Sequence, residues 1–159
     1  MDATLELARA DIGFSAAHFS VHDGRSERLH GHNYRVYLRL HGTVGAEGTV
    51  IDFAALKTAL RAVCAELDER MLVPTRSAQL VVAEAGDTVT VTDGDRHFVF
   101  PRGDVVLLPI VNSTCECLAA HLLGRLSARL DAPGYRVELR VEETPGQGAA
   151  VSTGGGAGG

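Results

Sequence analysis

Three histidines, His18, His30 and His32, stand where a single metal ion could collect them. His30 and His32 are two residues apart, so on an extended strand both side chains project to the same face. The same parity continues through Tyr34, Val36, Leu38 and Leu40, whereas Arg35, Tyr37, Arg39 and His41 fall on the other side. The pair is therefore expected on the buried face, with His18 supplied from upstream. Histidines that serve only packing are the alternative reading. That alternative suits a lone histidine better than two on one inward face with a third close by. Three neutral imidazoles with no fourth protein ligand form the donor set of a catalytic zinc, whose open position takes water or substrate.

Strands must carry these side chains. Ala3 to His18 reads as one long strand, with Leu5 and Leu7 on one parity and Ile12, Phe14 and His18 on the other. That phase change marks a bulge near Arg9 to Asp11. Val21 to Arg28 is polar and holds Gly24, so it is expected as a loop leading to the strand that starts at His30. Asp52 is placed to cap a first helix, with Ile51 and Leu56 as a hydrophobic staple. Leu56, Leu60, Val63, Cys64 and Leu67 recur at helical spacing and define its apolar face. Asp68 and Glu69 follow its last turn, where two acids oppose the negative end of the helix dipole.

The pattern changes from Gln79 to Phe100, where alternation is interrupted by Asp93-Gly94-Asp95. A small hairpin or three-stranded excursion is expected there. Val105 to Ile110 continues extended. Ser113-Thr114-Cys115-Glu116 reads as a capping box opening a second helix, whose stripe is Leu118, Leu122, Leu126 and Leu130. Pro133-Gly134 turns the chain into a last strand, Tyr135 to Thr144. Odd parity sends Glu143 inward with Val137, Leu139 and Val141, while Glu138 and Glu142 point outward. An acid at the inner end of a strand calls for a partner. Residues 1–144 then form one domain, and 145–159 are expected as a Gly-rich, mobile tail.

Composition bounds the function. The chain has 159 residues and a net charge of -5, and no basic run interleaves with aromatics, so no nucleic-acid partner is expected. The longest apolar run, Val105 to Val111, is interrupted by Pro109 and far too short to span a bilayer, so no membrane partner is expected either. Three cysteines, with no signal peptide at the start, point to reduced thiols and a cytoplasmic location. Cys115 and Cys117 read as small helix residues.

Several tracts in order resemble one known family. They are Phe14-Ser-Ala-Ala-His18, Leu29-His-Gly-His-Asn-Tyr34, Val50-Ile-Asp-Phe53, Asn112-Ser-Thr-Cys-Glu116 and Glu143-Thr144. Together they resemble the 6-pyruvoyl-tetrahydropterin synthase and 6-carboxy-tetrahydropterin synthase family. The resemblance implies an α+β tunnelling (T-fold) subunit, an antiparallel sheet with two helices on one face, assembled as a homo-oligomer, a hexamer made of two trimers. It implies that His18, His30 and His32 hold Zn2+, that Glu143 binds the ring donors of a pterin, and that Ser113 and Thr114 help hold that ring at a subunit interface. Ser113 is also a sufficient helix cap without any ligand.

Synthases of this family commonly use a cysteine in the loop before HGH. Here that loop reads Arg25-Ser-Glu-Arg-Leu29, without one. Glu27 resembles the glutamate of the cysteine-lacking branch, which cleaves the side chain of 7,8-dihydroneopterin triphosphate to 6-hydroxymethyl-7,8-dihydropterin. The resemblance thus implies a zinc-dependent lyase with Glu27 as its acid–base group. A solvated loop acid between Arg25 and Arg28 is the plainer reading of the same residue. Asp68 is the second implied catalytic residue, and Glu69 stands where the family usually has a histidine. His22 is a possible substitute for that histidine. A synthase reaction run without cysteine, or a pterin-binding protein without catalysis, are the alternatives.

Overall fold

The structure, a computed structural model, describes residues 1–130 and 134–153. Its elements in order are β1 (Asp2–Leu7), β2 (Gly13–His18), β3 (Val21–His22), β4 (Arg25–Ser26), β5 (His30–Thr43), α1 (Phe53–Ala65), β6 (Arg70–Pro74), β7 (Val81–Ala85), β8 (Thr88–Asp93), β9 (Arg96–Pro101), β10 (Val105–Leu108), α2 (Cys115–Ser127), β11 (Arg136–Thr144) and β12 (Gln147–Ser152). Seven strands make the main sheet, in the order β10-β6-β2-β5-β11-β12 with β1 also on β5. β5 is its spine. The phase change near Arg9 to Asp11 is a complete break: β2 pairs with the first part of β5 and β1 with the last.

Both helices lie on one face of this sheet. Asp52 caps α1 by accepting from the Ala54 amide at 2.9 Å. The stripe Leu56, Leu60, Val63, Cys64 and Leu67 is buried against Leu118, Leu122 and Leu126 of α2 and against Tyr34, Val36, Leu38 and Leu40 of β5. Leu60 is fully buried at the centre of this layer. Leu60→Ala is expected to lower unfolding free energy by about 2–5 kcal/mol, read from urea denaturation, because the helices close only partly over the lost volume.

Strands β6 and β12 depart from the sequence expectation, as do the short paired strands β3 and β4 in the expected loop, and so does the sheet's direction. β6 runs parallel to both β2 and β10, so the sheet is mixed rather than antiparallel. It escaped notice because Met71, Leu72, Val73 and Pro74 are all buried, and a strand covered on both faces shows no alternation. β12 occupies residues expected in a mobile tail, pairing with β11 from Glu138 to Thr144. Its glycine content is a packing requirement: a Cβ at Gly148 would collide with the carbonyl of Val141. Residues 154–159 of the expected tail, and Pro133 of the expected turn, lie outside the described residues.

The excursion between the helices is a three-stranded antiparallel sheet, β7-β8-β9. It has its own apolar cluster, in which Leu80, Val89 and Val91 pack on Phe19, Met71, Val73 and Val105. No helix among the described residues is long and apolar enough to cross a membrane.

Candidate active site

Antiparallel register sets His18 directly opposite His30, and His32 opposite Ala16. The three rings converge, with centroids 4.7 Å apart for His18 and His30, 5.2 Å for His18 and His32, and 4.8 Å for His30 and His32. The shared face is as the spacing predicts. The burial is not: His18 is 2% exposed, but His32 is half-buried and His30 exposed, because the pair stands at the open end of β5.

Two backbone carbonyls set which nitrogen is free in His18 and His30. The His18 Nδ1–H donates to Ser113 O at 3.0 Å, and the His30 Nδ1–H donates to Arg28 O at 2.7 Å. A carbonyl only accepts, so in each ring the proton sits on Nδ1 and the lone pair on Nε2. Nε2 of His18 is buried without a hydrogen-bond partner among the described residues. Such an orphan costs about 1–3 kcal/mol unless something pairs with it. The three imidazoles fit a metal: one ligand atom from each lies within 4.8 Å of the others. A tetrahedral zinc with nitrogens at about 2.0–2.1 Å separates them by about 3.4 Å. Burial, then the neighbouring His30, push the His18 pKa down, which keeps it neutral as a ligand.

The cleft around these rings has a volume near 360 Å³ and brings Glu27, His22, Thr114, Cys115, Glu143 and Gln147 to the histidines. Glu143 reaches it as parity predicts, with Oε2 4.0 Å from His32 Nε2. Its other oxygen accepts from Gln147 Nε2 at 2.6 Å. The neighbouring Glu142 points to the other face, as parity predicts, and is buried there, where Arg140 donates to it at 3.1 Å and the Tyr37 hydroxyl at 3.3 Å. Burial, then Glu143, push the Cys115 thiol up to about 12, so it stays protonated.

Glu27 enters from the loop that follows β4. Its Oε2 accepts from Ser20 Oγ at 2.6 Å and Ser20 N at 3.2 Å. The Ser20 hydroxyl, more than any other group, holds the Glu27 pKa below the usual carboxylate range, with His30 and His18 adding to it. Ser20→Ala is therefore expected to move the Glu27 carboxyl titration upward, followed by carbon NMR. The ionised form persists above that value and is lost as pH falls through it.

One expectation needs correction, the cap of α2. Ser113 is neither the helix cap nor a lining residue: it is fully buried behind His18, where its hydroxyl donates to Phe19 O at 3.0 Å. Thr114 caps α2, accepting from the Cys117 amide at 3.4 Å, and Thr114 does line the cleft. Within the single chain, Asp68 does not line this cleft. Its carboxylate accepts from Ser15 N at 2.8 Å, and the Glu69 amide donates to Ser15 O at 2.7 Å, so the acidic pair splices β6 beside β2. Glu69 lines a separate hollow of about 570 Å³ that shares only His32 with the cleft. Cys115, Ser20 and Gln147 were missed. Cys115 and Gln147 had a signal in their nearness to Thr114 and Glu143, and Ser20 in its place two residues after His18.

A mixed sheet backed by two helices, with a three-imidazole cleft at the open end of its spine, is the tunnelling fold. The chain belongs to the 6-pyruvoyl tetrahydropterin synthase family, whose model matches residues 8–153. It is similar to the crystal structure of 6-pyruvoyl tetrahydropterin synthase from Plasmodium vivax, with a TM-score of 0.92 and 35% identity over 96% of this chain and 98% of that one. A variant of that enzyme, with a glutamate described as a catalytic residue replaced by alanine, gives the same TM-score of 0.92 and the same 35% identity over 96% of this chain and 98% of that one. A protein of Methanocaldococcus jannaschii provisionally named 6-carboxy-5,6,7,8-tetrahydropterin synthase is 30% identical over 145 residues, 88% of this chain and 89% of its own length.

Proposed function

We propose that this protein is a zinc-dependent lyase that cleaves the side chain of 7,8-dihydroneopterin triphosphate, or of a less phosphorylated relative, to give 6-hydroxymethyl-7,8-dihydropterin. The observation that carries this reading is Glu27, an ionised carboxylate at the mouth of the three-histidine cleft, in a loop that holds no cysteine. The Plasmodium vivax enzyme, for which a glutamate is described as catalytic, supports it.

His18, His30 and His32 would hold the ion, through Nε2 in the case of His18 and His30. Zinc held there would supply Lewis-acid stabilisation of negative charge developing on substrate oxygens. Glu143 anchors the ring: a carboxylate accepts two parallel N–H donors at once, and the Gln147 amide keeps it aimed. Thr114 borders the same space. Glu27 takes the proton of a side-chain hydroxyl. The adjacent carbon–carbon bond breaks, the fragment leaves as an aldehyde, and the electron pair passes into the dihydropterin ring system. The proton held by Glu27 then goes to the pterin carbon that lost its neighbour, so the step is balanced without oxidant or reductant.

Zinc-loaded protein incubated with 7,8-dihydroneopterin triphosphate, with products identified by mass, tests this directly. A 6-hydroxymethyl product supports it; a 6-pyruvoyl or 6-carboxy product overturns it. The name of the archaeal relative favours the 6-carboxy reaction as the second reading.

The functional unit in this reading is a hexamer in the cytoplasm. Edge strands β10 and β12 lack a partner among the described residues, and such edges invite pairing with another copy. All three cysteines are free thiols, as a reducing compartment requires. Sedimentation at six times 16.8 kDa would support the assembly, and a monomer would sink it.

A further inference from the structure

The loop that carries Glu27 has little structure of its own. β3 and β4 are two residues each, joined through Asp23 and Gly24, both at positive φ. An isolated hairpin of this size is not stable in water. What holds it comes from the excursion. Asp93 and Arg96 face each other across the turn that joins β8 to β9, so their side chains leave the same end of the hairpin together. Arg96 Nη1 donates to Ser26 O at 2.7 Å, to Glu27 O at 2.8 Å and to the Ser26 hydroxyl. Asp93 Oδ2 accepts from Ser26 N at 3.0 Å and from the Ser26 hydroxyl, while Gln79 donates to its other oxygen.

Every polar group of Ser26 is thus taken by the excursion, as is the Glu27 carbonyl. The Glu27 amide is taken from the opposite side, by Ser20 O at 2.9 Å. The clamp is itself braced: the Arg96 guanidinium lies 5.0 Å over the Phe98 ring and 5.9 Å over Phe19, the residue between His18 and Ser20. The β7-β8-β9 sheet rests on the body through Leu80, Val89 and Val91.

We propose that the β7-β8-β9 excursion is a positioning device for Glu27, with Arg96 and Asp93 as the positioning residues. It rests on the acid–base reading of Glu27 given above. The excursion enters the chemistry without touching substrate, by fixing the backbone from which the carboxylate is aimed. A misplacement of about 1 Å costs on the order of 100-fold in rate.

Arg96→Met keeps an apolar stem against Phe98 and removes the donors. It is expected to lower kcat by roughly 10–100-fold with KM and bound zinc unchanged, and to speed hydrogen exchange of the 25–28 amides. Arg96→Lys is expected to recover part of the loss. In a Glu27→Gln background, Arg96→Met is expected to add nothing, since there is no carboxylate left to aim. Should Arg96→Met fail to fold, Asp93→Asn carries the same readouts, and Val99→Thr on the exposed side of β9 serves as the silent control. An unchanged kcat, a loss that adds fully to that of Glu27→Gln, or a loss that follows zinc content overturns the clamp. If Glu27→Gln alone leaves turnover intact, the acid–base reading falls, and exchange of the 25–28 amides decides the clamp: faster in Arg96→Met supports it, unchanged overturns it.

Discussion

Replacing Glu27 by Gln is expected to lower kcat for dihydropterin cleavage by roughly 10²–10⁴-fold, the range that a positioned acid–base group supplies. The substitution is close in shape, and a Gln amide oxygen still accepts from Ser20 Oγ and N, so the loop keeps its contacts. What disappears is the ability to carry a proton. KM is expected to stay within a few fold, because the proposed function gives ring anchoring to Glu143 and Thr114, which line the same cleft, rather than to Glu27. The pH profile of the parent protein carries the same signature. Hydrogen bonds from Ser20 depress the Glu27 pKa, so turnover is present above that value and falls away below the usual carboxylate range as the base is protonated. Steady-state kinetics of both proteins check this. A Glu27→Gln variant with parental kcat would end the acid–base role.

The second large effect is on the metal. His18→Ala is expected to reduce bound zinc from about one per chain to almost none, because a catalytic zinc site has three protein ligands and none to spare. His18 is the candidate ligand whose neighbours are most committed: Ser113 O receives its Nδ1–H, and its Nε2 has no partner among the described residues. Removing the ring also leaves Ser113 O without that donor, so some stability is lost with the metal. His30→Ala separates the two effects, since His30 is exposed and its loss opens no cavity. Metal content by mass spectrometry and circular dichroism on both variants read the result. Parental zinc in both would remove the site assignment.

The helices, the long β5 strand and the convergence of the histidines were legible because each rests on a period that the chain repeats. Parity alone took Glu143 inward, through four residues of β11 that alternate cleanly. Buried strand β6 was illegible for the opposite reason, having no polar face to set a period. β12 was hidden by composition, since the small residues that let it approach Val141 look like a linker. The capping pattern at Ser113 was misread by one residue, because Ser and Thr are both good caps and only the tertiary contact with His18 and Phe19 decides between them. Asp68 and Glu69 stood out as acids at a helix end, and their bonds to the Ser15 backbone are contacts that no local pattern announces. Nor does anything near Glu27 in sequence point to Arg96, 69 residues away.

All three histidines lie between residues 18 and 32, whereas the carbonyl that orients His18 arrives from residue 113. An unfolded or half-synthesised chain therefore already owns a tethered imidazole trio, and it is expected to take up zinc with its rings unaimed. Linkage follows: ligand that the unfolded chain also holds stabilises the fold by less than its native affinity suggests. Saturating metal would then raise the melting temperature only modestly, and the difference would measure what Ser113 and Arg28 add by holding the rings in place.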